Sequence, residues 1–181
     1  MDLQLGGQKV LITGGSRGIG RAIASSMARE GCEIHLSSRT EADLQRAQAE
    51  ITDATGSEVS IHAFDLSEST NTSRLAEVCA DVDILINNAG AIPGGNLGDI
   101  DESRWRLAWD LKVFGYINLT RLIYTRMQER HRGVILNIIG VAGERYDSNY
   151  IAGSTGNAGL MAFTRALGGT SLDDGVRVLG I

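Results

Sequence analysis

The chain has 181 residues, enough for one domain with a substantial core, and 43% of them are hydrophobic against 22% charged. A formal net charge of −5, with no run of Lys or Arg, excludes a polyanion-binding surface of the nucleic-acid type. Cys32 and Cys79 stand far apart without metal-type spacing and read as two reduced thiols; with no leader pattern and no apolar run of spanning length, a cytoplasmic protein that is neither secreted nor inserted in a membrane is expected.

Along the chain, short apolar runs alternate with longer amphipathic stretches. Strands are predicted at Lys9–Thr13, Glu33–Ser37, Glu58–Phe64, Asp83–Asn87, Gly133–Ile139 and Val176–Ile181. Helices are predicted at Gly18–Glu30, Glu41–Thr55, Glu68–Ala80, Glu102–Arg130 and Tyr150–Leu172. Thr40, Ser67 and Asp101 stand as helix-start residues before acidic first turns. Strands that are apolar throughout suit a parallel sheet covered on both faces. The alternation therefore predicts an α/β fold with a doubly wound parallel sheet of six strands in three α/β/α layers.

The first strand runs into Thr13-Gly14-Gly15-Ser16-Arg17-Gly18-Ile19-Gly20, a strand, a glycine turn and a helix start. Gly14 permits a sharp turn, while Gly18 and Gly20 allow close backbone approach to a pyrophosphate and close packing of the helix. The helix N-terminus then offers free N–H groups and partial positive charge to phosphates. At strand one of an alternating α/β chain, this pattern points to nucleotide binding. Glycine is the compositional outlier, at 23 residues against one proline, which fits tight turns and close approaches.

The spacing Gly-x-x-x-Gly-x-Gly, joined with Asn87-Asn88-Ala89-Gly90 closing the fourth strand, resembles the short-chain dehydrogenase/reductase family. Asp65-Leu66 after the third strand and Tyr150 near a helix start also match, and the resemblance runs from Lys9 to Ile181. It implies a Rossmann-type fold and a bound NAD(H) or NADP(H). It also implies that Asp65 and Leu66 contact the adenine, that Asn88, Ala89 and Gly90 line the adenosine ribose side, and that Asn87 ties strand four to Thr13. Strand two ends Leu36-Ser37-Ser38-Arg39, without the acid that would bind an unphosphorylated ribose. Arg39 and Arg17 can instead grip a 2′-phosphate, so NADP(H) is favoured over NAD(H).

In such enzymes hydride passes between nicotinamide and a carbonyl or alcohol, served by a tyrosine, a lysine four residues on, a serine and an asparagine. Here Tyr150 matches, Ser154 stands in the lysine position, Gly140 in the serine position and Lys112 in the asparagine position. The catalytic candidates are accordingly Tyr150, Lys112 and Ser154. An unassisted Tyr150 stays protonated at neutral pH, which suits proton donation to an alkoxide and hence carbonyl reduction. One expectation is that Lys112 supplies the missing cation; the other is that it is an ordinary solvated or salt-bridged helix lysine. His35, His62 and His131 show no ligand spacing, so no metal is expected.

The expected activity is that of an NADP(H)-dependent oxidoreductase acting on a small-molecule carbonyl or alcohol. The alternative is a dinucleotide-binding sensor or partner subunit with impaired chemistry. Trp105, Trp109 and Phe114 read as packing residues, and the small stripe Ala152, Gly156, Gly159 as a close-approach face. The resemblance implies a homodimer built on these two helices. The chain reaches Ile181 at the end of its sixth strand, where ligand sites of such sheets are completed. A single dinucleotide-binding domain over residues 1–181, lacking the family's last strand and substrate loop, is therefore expected. Either a longer chain supplies that rim or substrate closure is achieved differently.

Overall fold

Val10, Leu11 and Ile12 are all fully buried, because β1 (Lys9–Thr13) lies inside a sheet covered on both faces. A computed structural model describes residues 3–181. It contains α1 (Gly18–Arg29), β2 (Glu33–Ser38), α2 (Glu41–Thr55), β3 (Val59–Ala63), α3 (Ser69–Val78) and β4 (Ile84–Asn87). These are followed by α4 (Glu102–Trp109), α5 (Gly115–Glu129), β5 (Gly133–Asn137), α6 (Ile151–Gly168) and β6 (Val176–Gly180). The six strands form one parallel sheet in the order β3-β2-β1-β4-β5-β6, the doubly wound α/β architecture that the alternation predicts.

The pleat divides the core. Val10, Ile12, Ile34, Leu36, Ile84 and Ile86 pack under Ala24 and Ala28 of α1 and Leu44 and Ile51 of α2. Leu11, Leu85 and Ile135 point the other way, onto Leu75 of α3 and Leu119, Ile123 and Met127 of α5. Strand order reverses between β1 and β4, and the resulting crevice lies beyond their carboxyl ends.

Two predicted helices differ from expectation. The long helix predicted over Glu102–Arg130 is interrupted by a π-helical turn, Asp110–Phe114, which lies between α4 and α5. Such turns insert one residue into a helix and shift the side chains that follow. The last predicted helix stops at Gly168, and a short 3₁₀ turn, Ser171–Asp174, precedes Gly175 in the left-handed region at φ 72°. Among the starts, Asp101 caps α4 by accepting from the Arg104 N–H at 2.8 Å. Thr40 makes no side-chain cap, and the Ser67 hydroxyl bonds Asp65 Oδ1 at 2.7 Å instead.

Candidate active site

The glycine loop builds one wall of a cleft of ≈ 330 Å³ beyond β1 and β4. Gly14, Ser16, Arg17 and Ile19 line it. Gly14 (φ 65°) and Gly18 (φ 56°) take left-handed conformations that L side chains rarely adopt. Gly20 is glycine for a steric reason, since a Cβ there would collide with Gly14 O and Asn88 Nδ2. Gly20 thus packs behind the loop, while Gly18 is exposed and matters for its backbone conformation alone.

Asn88, Ala89 and Gly90 line the opposite wall, with Leu66, Phe64 and Leu111 as apolar flanks. The tie to Thr13 is made by Asn88, not by Asn87. Asn88 N–H donates to Thr13 Oγ1 at 2.9 Å, and its amide donates to Thr13 O at 2.9 Å and Gly14 O at 3.2 Å. Ala89 N–H joins Thr13 Oγ1 at 3.1 Å. Asn87, the last residue of β4, instead points its amide inward, onto Thr120 Oγ1 at 3.0 Å and Asn137 Oδ1 at 2.9 Å. Asn87 is held by the pleat of β4, while Asn88 begins the turn that follows it. Asp65 turns its Oδ1 to the N–H and hydroxyl of Ser67, at 3.0 and 2.7 Å. Phe64 and Leu66 are the flanking residues that line the cleft.

The floor at the end of β2 is made by Ser37, Ser38, Arg39 and Thr40. Ser37 Oγ and Ser38 Oγ are buried without a hydrogen-bond partner among the described residues. Buried hydroxyls rarely go unpaired. Both hydroxyls lie beneath the surface, so the groups this end presents to an anionic ligand are the exposed guanidinium groups of Arg39 and Arg17. Asp43 lines the same end, with its carboxylate paired to Arg46 at 3.3 Å. The glycine loop, the Asn88–Gly90 wall and the two arginines fit a phosphate-bearing dinucleotide.

The catalytic candidates sit on three elements. Tyr150 is the N-cap residue of α6 and forms a single parallel bridge to Gly95. Its ring lies along its own helix against Gly153, where any Cβ would overlap it. Partial burial raises the phenol above its ordinary value, so it is protonated at neutral pH. Ser154 is buried and fastens the preceding loop: its Oγ accepts from the Asp147 N–H at 3.1 Å and donates to Asp147 O at 3.4 Å. Gly140 takes φ 114°, open to glycine and strained for serine.

Lys112 lies in the π-helical turn and is only 8% exposed. Its Nζ donates to Ile138 O at 2.6 Å and to Tyr116 Oη at 2.9 Å, and stands 4.6 Å from the centre of the Tyr116 ring. Its side chain packs on Gly90, where a Cβ would come within 2.7 Å of Lys112 Cδ. Desolvation pulls the ammonium down to about 8, so it is still mostly charged at neutral pH. Lys112 is therefore not a solvated lysine; it is a buried cation between the cleft wall at Gly90 and the chain leaving β5.

Two further residues belong to this constellation. Tyr116, one helical turn beyond Lys112, donates to Ile138 O at 3.0 Å, and burial raises its phenol. The i, i+4 spacing to Lys112 is the signal for it. Asn157 is buried on α6 with its Oδ1 unpartnered among the described residues. Its Nδ2 lies 3.2 Å from where a side chain would begin at Gly140. It stands two turns beyond Tyr150, on the same face of α6.

Trp109 Nε1 donates to Ala152 O at 3.0 Å, and Gly156 packs on Val113 and Trp109. The small stripe on α6 thus accepts the π-helical turn of its own chain. Among the described residues, no helix is long and apolar enough to cross a membrane.

A family model described as short chain dehydrogenase matches residues 8–181. The ketoacyl reductase HetN of Nostoc sp. is 31% identical over 181 residues, covering 96% of this chain and 62% of its own length. The chain thus spans less than two thirds of that relative. Among solved structures, L-sorbose reductase from Gluconobacter frateurii, complexed with NADPH and L-sorbose, superposes with a TM-score of 0.94 at 28% identity. That match covers 99% of this chain and 70% of the reductase. A 7α-hydroxysteroid dehydrogenase complexed with NADH superposes at 0.92 with 28% identity, over 99% of this chain and 71% of its own.

Proposed function

The chain belongs to the short chain dehydrogenase family of oxidoreductases, and on that premise we propose that it is an NADP(H)-dependent reductase of carbonyl compounds. The observation that carries the cofactor choice is the end of β2. It offers Arg39, with Arg17 from the glycine loop, where an NAD-selective site would offer a carboxylate. Relatives in solved structures hold NADPH in one case and NADH in another, so the choice rests on this chain's own residues.

A bound nicotinamide would supply the hydride. Tyr150 would hold its phenolic proton ready for the alkoxide that develops on the substrate oxygen, and its raised pKa favours that direction over alcohol oxidation. Lys112 would supply the positive charge that position 154 lacks. Its burial against Gly90 supports this role, since a charge in a dry wall acts more strongly than one in water. Ser154 would act by positioning, holding the loop before Tyr150 through Asp147.

A second reading is a dinucleotide-binding sensor or partner subunit. It is favoured by the same Ser154, whose hydroxyl is already committed to Asp147, and by Gly140, which has none to offer. NADPH fluorescence titration followed by turnover on a panel of ketones and aldehydes separates the two. Tight binding with NADPH consumption supports the reductase; tight binding without consumption across the panel supports the sensor. We further propose a homodimer through the α4–α5 rod and α6, supported by the exposed Leu107 and Phe114 and by Gly159, which faces open space.

A further inference from the structure

His35 in β2, His62 in β3 and Cys79 at the C-terminal cap of α3 come together on the sheet face that packs against α3, and none of the three lines the cleft. His35 Nδ1 and His62 Nε2 are 3.1 Å apart, and Cys79 Sγ lies 3.8 Å from the first and 3.6 Å from the second. The two rings are within 5° of parallel with centres 5.4 Å apart. That separation equals the N···N distance plus one centre-to-nitrogen radius at each end. The rings are therefore coplanar and edge to edge, sharing one N–H···N bond, and are not stacked face to face.

We propose that His35, His62 and Cys79 form a binding site for one thiophilic divalent cation of the zinc type, held by Nδ1, Nε2 and Sγ with the fourth position open to solvent. The three donor separations carry this assignment. A tetrahedral zinc with bonds of about 2.0–2.1 Å to nitrogen and 2.3 Å to sulfur has N···N edges of about 3.4 Å and N···S edges of about 3.6 Å. All three distances in the cluster lie within a few tenths of an ångström of those edges. The ligands come from three different elements, so no short-range spacing announces them. Each histidine is only half-buried, which leaves room for the rings to turn their lone pairs from one another toward a shared ion.

Acidic groups surround the cluster. Glu33 and Glu58 lie near His35, and Asp81 near both His35 and Cys79, although the Asp81 carboxylate is itself paired to Lys9 Nζ at 2.5 Å. The neutral imidazole is the form that ligates. Binding balances simply. His35 carries its proton on Nε2 and His62 on Nδ1, so that each turns a lone pair to the ion, and Cys79 releases its thiol proton. One proton leaves for each ion bound. Because that thiol proton must leave, binding strengthens as pH rises. The bound ion would pin the edge strand β3 to β2 and to the end of α3.

The test uses the whole chain, reduced and stripped with a chelator, and needs no dinucleotide, so its outcome is separate from that of the reductase proposal. Cobalt(II) is titrated as a spectroscopic probe, and zinc(II) affinity is measured by competition with a chromophoric chelator. The expected result is one equivalent of cobalt with thiolate-to-cobalt charge transfer and the visible bands of a four-coordinate ion. C79S removes the charge-transfer band, and C32S, at the other cysteine, retains it. H62Q and H35Q, which serve if C79S fails to fold, each lower zinc affinity by at least about tenfold. No charge transfer in the native chain, a band that survives C79S, or zinc affinity unchanged in both histidine variants would overturn the proposal.

Discussion

Lys112 Nζ donates a 2.6 Å hydrogen bond to the carbonyl oxygen of Ile138, joining the π-helical turn to the chain that leaves β5. Tyr116 Oη donates to the same oxygen at 3.0 Å. The Ile138 carbonyl thus keeps a partner if the lysine is removed, and the cost of holding a charge in this wall can be measured apart from its use.

Lys112→Met should therefore raise stability at neutral pH by roughly 1–3 kcal/mol, because it removes a desolvated charge and leaves no orphaned acceptor. The sign with pH follows from the lowered pKa. Between about 8 in the folded chain and about 10.4 unfolded, the unfolded state holds the extra proton. The native chain's stability should rise across that window by up to about 1.4 kcal/mol per pH unit from this group, and the variant should lose that slope. Urea denaturation at pH 7 and pH 9.5 checks both statements.

Arg39→Ala should weaken NADPH binding by roughly 10- to 100-fold, the worth of a charged hydrogen bond to phosphate, and leave NADH binding unchanged. Fluorescence titration with each nucleotide reads this directly. Equal losses for both would place Arg39 away from the ribose phosphate.

Restoring the family's serine by Gly140→Ser should not restore a serine's function. The backbone at φ 114° penalises any side chain by about 1–3 kcal/mol, and Asn157 Nδ2 occupies the space beside it. The expected outcome is a lower unfolding midpoint with no gain in ketone turnover.

Gly153→Ala should move the Tyr150 ring, since the added methyl would overlap it. The cleft lining is untouched, so NADPH affinity should hold while kcat falls by about 10²-fold or more. Steady-state kinetics beside the nucleotide titration separates this from general unfolding.

Much of the fold is legible in the sequence because Val, Ile and Leu runs separated by amphipathic stretches admit few arrangements. Gly14, Gly18 and Gly20 likewise announce a phosphate turn through their spacing. What is not legible depends on register and on contacts across the chain. Asn87 turns inward as the last residue of β4, and Asn88, just beyond the strand, meets Thr13. The π-helical turn at Lys112 leaves the periodicity of the long helix nearly intact, and the single inserted residue is settled by packing against Gly90 and Ile138. His35, His62 and Cys79 lie on three elements and meet only when β2 pairs with β3.

In the proposed mechanism a buried Lys112 supplies the cation that Ser154 cannot. Single-turnover NADPH oxidation by the native chain and by Lys112→Met, with a ketone that the native chain reduces and with nucleotide binding measured in parallel, tests it most directly. A rate loss of about 10²–10⁴-fold is expected in the variant. Unchanged turnover together with unchanged NADPH affinity would contradict it.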